Sequence, residues 1–271
     1  MGIKSFVKVR VCRTEMQAWD TIWKWSWFTR KVWVPEYLEE TRSGLQPLFS
    51  LLPKLHVKSI LDCSCGLGFK TVMFAKEGYE VEGSDASAVA INHAPKIAEE
   101  EGLKIRFFRS RFDNLGKNCK RKYDCVFSDY FDELSSLAML KASAKGIYSM
   151  LNQGGKFIFY TLFPNLTKSD LKKSIEREWK KRKKFAIDQP VEHDDMRIIH
   201  IEVGNKTVEG ILETNIYLVE KKGVLEAEVA SIMNPRIKWR LKDYVNVLIE
   251  SGFRKVNQIK RKKEVIIVAL K

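Results

Sequence analysis

Two glycines and one carboxylate define the chemistry open to this chain. Gly66 and Gly68 lie in the stretch Cys65-Gly66-Leu67-Gly68-Phe69, and Asp85 follows nineteen residues after Gly66. A residue without Cβ lets the backbone come close to a ligand. A helix starting near Phe69 would point its free N–H groups at an anion. A carboxylate at the end of the next apolar run can accept hydrogen bonds from both hydroxyls of a ribose. The dinucleotide pattern would need a third glycine at position 71, where Thr71 stands, and no phosphate-cradling Gly-Lys-Ser/Thr loop is present. The ligand should therefore carry a ribose and a small anionic group, without a diphosphate. S-adenosylmethionine meets that description.

The elements that would position these residues alternate in type. "KSILDC", "YEVEGSD", "LKIRFFRS", "YDCVFSD" and "KFIFYTLF" read as strands. Between them run "FKTVMFAKEG", "ASAVAINHAPKIAEEEG" and "SLAMLKASAKGIYSMLNQGG", which read as helices stopped by Gly78, Gly102 and the Gly154-Gly155 pair. Strand alternating with helix for over a hundred residues implies an α/β fold, a doubly wound and mostly parallel sheet. Ligands bind such sheets beyond the carboxyl ends of the strands. After Pro164 the pattern changes to a basic helix and three apolar-rich runs, which read as an inserted antiparallel meander with turns at Gly204-Asn205 and Lys222-Gly223. "WRLKDYVNVLIESGF" reads as an amphipathic helix, and the last residues as an antiparallel hairpin. The expected organisation is one domain: an aromatic N-terminal lid segment at 1–45, a cofactor-binding core at 55–165, an insert at 166–235 and a closing helix and hairpin at 236–271.

Composition narrows the class. The apolar fraction of 45% is ordinary for a globular protein. No stretch approaches the roughly 20 apolar residues that span a bilayer, and no signal peptide is read at the start. Five cysteines and four scattered histidines give neither a disulfide framework nor metal-ligand spacing, so a reduced, cytoplasmic protein without a metal is expected. The net charge of +14 is concentrated in two segments: 168–184 has nine basic and three acidic residues, and 254–263 has six basic and none acidic. These are either solvated faces or an attraction to nucleic acid or another polyanion. Five of the seven tryptophans, Trp19, Trp23, Trp25, Trp27 and Trp33, fall within fifteen positions. They can pack a helix onto the sheet, form a lid over the ligand, or do both.

At this point the chain resembles a known family. "ILDCSCGLG" is similar to motif I of class I S-adenosylmethionine-dependent methyltransferases, and "VEGSDAS" to their acidic second motif, with the likeness running from about Ser59 to Phe163. It implies a Rossmann-like sheet of seven strands. Within that superfamily, "YLEETRS" and the meander with "TNIYLVE" resemble glycine and glycine/sarcosine N-methyltransferases. By that resemblance Tyr37 and Arg42 would face the methionine end of the cofactor, Ser64, Gly66 and Gly68 would line it, and Trp33 and Ser128 would belong to the same cofactor site. Asp85 would hold the ribose, Ala86 and Ser87 would lie beside the adenine, and Arg111 and Phe112 would flank it.

The departures from that group bear on the acceptor. The glycine enzymes place an arginine after the fifth strand, where this chain has "FYTLFPN" with Leu162 in that place. The loop after strand four is "SDYFDELS", with Asp129, Asp132 and Glu133. An acidic loop suits a cationic or amine acceptor, and Tyr130 and Phe131 could add cation–π contacts; the same acids could instead cap the next helix. The expected activity is methyl transfer to a small-molecule amine, with Asp129, Asp132 or Tyr37 assisting proton loss. The alternatives are an RNA- or protein-directed enzyme using the basic segments, or a cofactor-binding subunit without catalysis. No Asn/Asp-Pro-Pro-Tyr/Phe tetrapeptide follows strand four. No membrane partner is expected.

Overall fold

The computed structural model describes residues 7–30, 35–161, 167–261 and 265–271. Trp33 and Leu162 lie outside the described residues. Two sheets carry the architecture. The larger has seven strands: β2 (Ser59–Asp62), β3 (Glu80–Asp85), β4 (Arg106–Arg109), β5 (Tyr123–Ser128), β6 (Leu151–Thr161), β12 (Lys255–Lys260) and β13 (Val265–Leu270), in the order β12-β13-β6-β5-β2-β3-β4. β2 to β6 are mutually parallel, while β13 pairs antiparallel with β6 and with β12. Between these strands run α3 (Phe69–Lys76), α4 (Ala88–Glu100), α6 (Leu137–Met150) and the short α5 (Leu115–Asn118); α8 (Leu241–Glu250) precedes the hairpin. The order reverses at β2, which places a crevice at the carboxyl ends of β2, β3 and β5. Both faces are covered. α6 and α8 bury Ile147, Tyr244 and Leu248 on one side, and α2 (Pro35–Leu51) buries Leu45 and Leu48 with Phe74 and Phe127 on the other.

The second sheet is the inserted meander and two short partners. β9 (Met196–Lys206), β10 (Gly210–Lys221) and β11 (Val224–Arg236) are antiparallel; β7 (Phe185–Ile187) and β8 (Val191–His193) pair with β9, and β1 (Lys8–Val11) pairs parallel with β11. α1 (Glu15–Thr29) and α7 (Lys168–Lys181) complete the described chain. Several boundaries differ from those read in the sequence. The helix expected to run to Gly155 ends at Met150, and Gly154, at φ 76°, lies inside β6 rather than capping a helix. Gly204-Asn205 lies within β9, and the chain reverses after Lys206 instead. β1, β7 and β8 are too short to show a period.

Candidate functional site

Each element delivers its residues to the crevice by a local rule. β2 ends at Asp62, and the backbone then turns through Gly66 (φ 52°) and Gly68 (φ 91°) into α3. These are left-handed conformations that glycine adopts without strain. Asp85, ending β3, is held across this turn: one carboxylate oxygen accepts from Gly66 N–H at 2.9 Å, the other from Ser87 N–H at 2.8 Å. Ser87 is the N-cap of α4. Ala86 accepts from Arg109 Nε at 3.0 Å through its carbonyl. Arg111 follows β4 with its guanidinium on Asp113 at 3.2 Å, and Phe112 begins the next turn, packed partly into the core.

The end of β5 is joined to the same turn. Ser64 Oγ lies 3.0 Å from both Ser128 Oγ and Asp129 Oδ1. Ser128 is fully buried and accepts the N–H groups of Tyr130 and Phe131, each at 3.1 Å, so its hydroxyl serves the turn itself. Asp129 is paired with Lys70, and Glu133 accepts the Arg236 backbone N–H. Two of the three loop acids are thus already matched by cations or donors. The loop does not cap α6, because Ser136 does, accepting Met139 N–H at 3.2 Å. Burial raises the carboxyls of both Asp132 and Glu133: desolvation is the main cause for each, opposed at Asp132 by hydrogen bonds from its own backbone N–H and from Thr161, and reinforced at Glu133 by the charge of Asp132. Asp132 stands between the carboxyl ends of β5 and β6, with Tyr244 Oη donating to its carbonyl at 3.2 Å.

Tyr37 and Arg42 lie on α2, which runs antiparallel to β6: Gly44 O meets Tyr160 Oη at 3.2 Å, and Leu55 O meets Lys156 Nζ at 2.8 Å. The residues before Gly44 therefore extend toward the carboxyl end of β6. Both are exposed there, Tyr37 by 43%, rather than gathered into the crevice.

The roof of the crevice is α1. Trp23 packs so closely on Gly66 that a methyl group there would come 2.8 Å from the ring. Trp19 stacks on Trp23 and donates from Nε1 to Tyr130 Oη at 3.2 Å. Asp20 accepts from Ser87 Oγ at 2.5 Å, and Glu15 accepts from Tyr130 Oη at 2.8 Å and pairs with Arg236 at 2.9 Å. Trp25 turns the other way, stacking on Tyr217 and donating to Glu228 at 3.0 Å. Trp19 and Trp23 thus lie over the glycine turn and Trp25 against the second sheet, on opposite sides of one helix. Sequence reasoning missed Glu15, Asp20, Lys70 and Arg236. The i, i+4, i+8 spacing of Glu15, Trp19 and Trp23 could have found one face; nothing in the sequence points to Arg236.

Comparison with known proteins follows this geometry. Residues 60–155 match the family model described as "Methyltransferase domain". Over this segment, about a third of its length, the chain is similar to a methyltransferase domain. A "Putative methyltransferase" of Geobacillus sp. (strain WCH70) is 33% identical over 104 residues, and the match spans 38% of this chain but only 41% of that protein's length. In three dimensions the chain is similar to the sugar N-methyltransferase KedS8 from Streptoalloteichus sp. ATCC 53650, with TM-score 0.62, 13% identity and coverage of 83% of this chain and 85% of that one. It is also similar to Streptomyces venezuelae DesVI, with TM-score 0.60, 17% identity and coverage of 92% and 96%. A third neighbour is the S-adenosylmethionine-bound CalS10, an amino pentose methyltransferase from Micromonospora echinaspora, with TM-score 0.58, 13% identity and coverage of 92% and 96%. At these identities the structural likeness shows the fold.

The residues at the carboxyl ends of the strands would suit S-adenosylmethionine. The glycine turn would admit a close approach once the Trp23 ring leaves Gly66, and Asp85 ends β3 where a ribose would lie. Asp62, buried beneath the turn, gives one oxygen to Thr71 Oγ1 at 2.7 Å, and its Oδ1 has no hydrogen-bond partner among the described residues. An unmatched buried acceptor suits the ammonium of a methionyl group. Desolvation raises the Asp62 carboxyl to about 6.

Proposed function

We propose that the protein transfers a methyl group from S-adenosylmethionine to the nitrogen of a small amine. The bound cofactor supplies an already activated methyl on a sulfonium, so the chain's work is to orient, to exclude water and to move one proton. In this reading Asp85 holds the ribose, Asp62 and Ser64 face the methionyl end, and Arg111 and Phe112 border the adenine. Tyr37 and Arg42 would reach that end only on movement of the start of α2. Trp23 rests on Gly66 where the cofactor must approach, so α1 moves for entry and returns as cover.

Asp132 carries the acceptor assignment. An amine arrives protonated and must lose a proton before its lone pair can attack. Burial raises the Asp132 carboxyl beside Glu133 near the ends of β5 and β6, which moves it toward the range that suits taking that proton near neutrality. Asp129, paired with Lys70, is the weaker candidate for this step. KedS8 is a sugar N-methyltransferase and CalS10 an amino pentose methyltransferase, which supports the search for an amino group on a small, hydroxylated acceptor. The finer likeness to glycine and glycine/sarcosine enzymes rests on "YLEETRS" and the meander alone. Calorimetric titration with S-adenosylmethionine and S-adenosylhomocysteine tests the cofactor. A labelled-methyl screen of amines, amino sugars, amino acids and bulk tRNA then tests the acceptor. Label on a small amine is the expected result, and label on tRNA alone overturns the acceptor assignment.

A further inference from the structure

The charges where β2 and β5 end are paired with one another. Lys70 is the second residue of α3, directly after the Gly66-Gly68 turn, and its ammonium meets Asp129 Oδ2. The two side chains are 33% and 29% exposed, so the pair borders open space. Asp129 is held a second time by Ser64. Its Oδ1 accepts from Ser64 Oγ at 3.0 Å, and its N–H donates to the same hydroxyl at 3.1 Å. Beneath the turn lies Asp62, 1% exposed, with Oδ2 on Thr71 Oγ1 and Oδ1 without a partner among the described residues. Burial is the main influence on the Asp62 carboxyl and raises it, and the charge of Lys70 is among those that oppose the rise. Lys70 is therefore within electrostatic reach of both carboxylates.

A zwitterion complements this set. Its ammonium would match the Asp62 oxygen, and its carboxylate needs a cation nearby. The methionyl end of S-adenosylmethionine carries both groups. Arg42, expected at that carboxylate, is exposed on α2. Arg111 lies with Asp113 after β4, and Arg236 is engaged by Glu15, Glu133 and Glu209. Lys70 is the cation that stands across the ends of β2 and β5, beside Asp62 and Ser64.

We propose that S-adenosylmethionine binds by ion-pair exchange, with Lys70 leaving Asp129 to take the α-carboxylate of the methionyl group. The inference rests on the cofactor reading given above. Three features permit the exchange. A lysine ammonium is a compact charge on a flexible four-carbon stem, so it can swing between two partners. Asp129 keeps both of its Ser64 hydrogen bonds when Lys70 departs, so its carboxylate is not stranded. The N-terminal end of α3 favours a negative charge beside Lys70. The exchange also carries a cost. Asp129 competes with the cofactor for one cation, so the affinity is lower than it would be with Lys70 free.

The test is calorimetric titration of the full chain with S-adenosylhomocysteine and with its decarboxylated analogue, which keeps the adenosine, the sulfur and the amine. The wild type should bind S-adenosylhomocysteine about tenfold or more tightly than the analogue, the scale of one charge-assisted hydrogen bond. Lys70→Met should bring the two ligands within about two-fold of each other, with the loss falling on S-adenosylhomocysteine. Its binding of the analogue shows that the variant is folded, and Lys70→Arg should restore the preference. Asp129→Asn should bind S-adenosylhomocysteine several-fold more tightly than the wild type, because the competing charge is gone. Equal affinity of the wild type for the two ligands overturns the exchange and leaves the cofactor reading standing. So does a Lys70→Met protein that keeps the preference, or an Asp129→Asn protein that binds S-adenosylhomocysteine more weakly, which would assign Asp129 to the cofactor's ammonium. A wild type that binds neither ligand overturns both readings. Only binding is measured, so no outcome depends on the methyl acceptor.

Discussion

Three carboxylates in one crevice are given different properties by their surroundings. Asp85 is tied to two backbone N–H groups, and those bonds offset part of its burial. Asp85→Ala should weaken S-adenosylmethionine binding by about 1–3 kcal/mol, the usual cost of losing charge-assisted hydrogen bonds; unchanged affinity in calorimetry would remove it from the ribose site. Asp62 is raised to about 6 by burial, so the folded chain holds its proton more tightly than the unfolded chain, where a carboxylate titrates near about 4. The ionised group therefore lowers stability above pH 6, and that loss disappears as the pH falls toward 4. Asp62→Asn should stabilise the fold at pH 8 by about 1–3 kcal/mol in urea unfolding while weakening cofactor affinity; a variant less stable than wild type at pH 8 would refute this. Burial raises the carboxyls of Asp132 and its neighbour Glu133 together, also mainly by desolvation. As a base Asp132 works only when ionised, so turnover should rise with pH through the raised carboxyl range and then level off. Asp132→Asn should lose about 10²-fold or more of kcat and the inflection with it. A retained inflection would assign it to the amine.

At the scale of elements, the strand-turn-helix units of the cofactor core could be read in advance. Ser59–Asp62, the Gly66-Gly68 turn and Phe69–Lys76 follow from β-branched runs, glycine punctuation and helical spacing, which are all local. Ser87, read as part of the helix, is instead its N-cap. What could not be read was non-local. Lys70 meets Asp129 across 59 residues and Arg236 reaches Glu15 across 221, and no spacing rule spans such separations. Gly154 misled because a left-handed glycine serves a strand bend as well as a helix stop. The tryptophan cluster announced a helix with two apolar sides, but only the fold shows Trp19 and Trp23 over the crevice and Trp25 on the second sheet. In the proposed reading α1 acts as the gate. Trp23→Ala removes the ring seated on Gly66, so it should raise the association rate for S-adenosylmethionine several-fold in stopped-flow experiments. A slower association would mean that the ring helps to bind the cofactor and does not bar its entry.

For the whole molecule, charge separates the small-amine reading from the nucleic-acid reading. Of the residues in α7, Lys172, Lys173, Arg177, Lys180 and Lys181 recur at the three- and four-residue intervals that place them along one side of the helix, with Glu176 among them. Glu176 is drawn to Lys206 and Glu178 to Lys181, which leaves the stripe strongly positive. Inward, α7 is anchored by Ile175 on Ile211 and Ile237, so the stripe is the solvent side of an ordinary amphipathic helix. Such a stripe attracts RNA through counterion release whether or not RNA is the substrate, and the attraction falls steeply with salt. Binding alone therefore decides nothing; turnover does. Replacing Lys172, Lys173, Lys180 and Lys181 with Gln should abolish most tRNA binding at low salt while leaving methylation of a small amine within about two-fold of wild type. These side chains pair with nothing in the crevice, and exposed charges on a helix contribute only tenths of a kcal/mol to folding. A collapse of small-amine turnover in a variant that still folds and binds S-adenosylmethionine would tie the stripe to the acceptor, and the polyanion would then become the substrate to pursue.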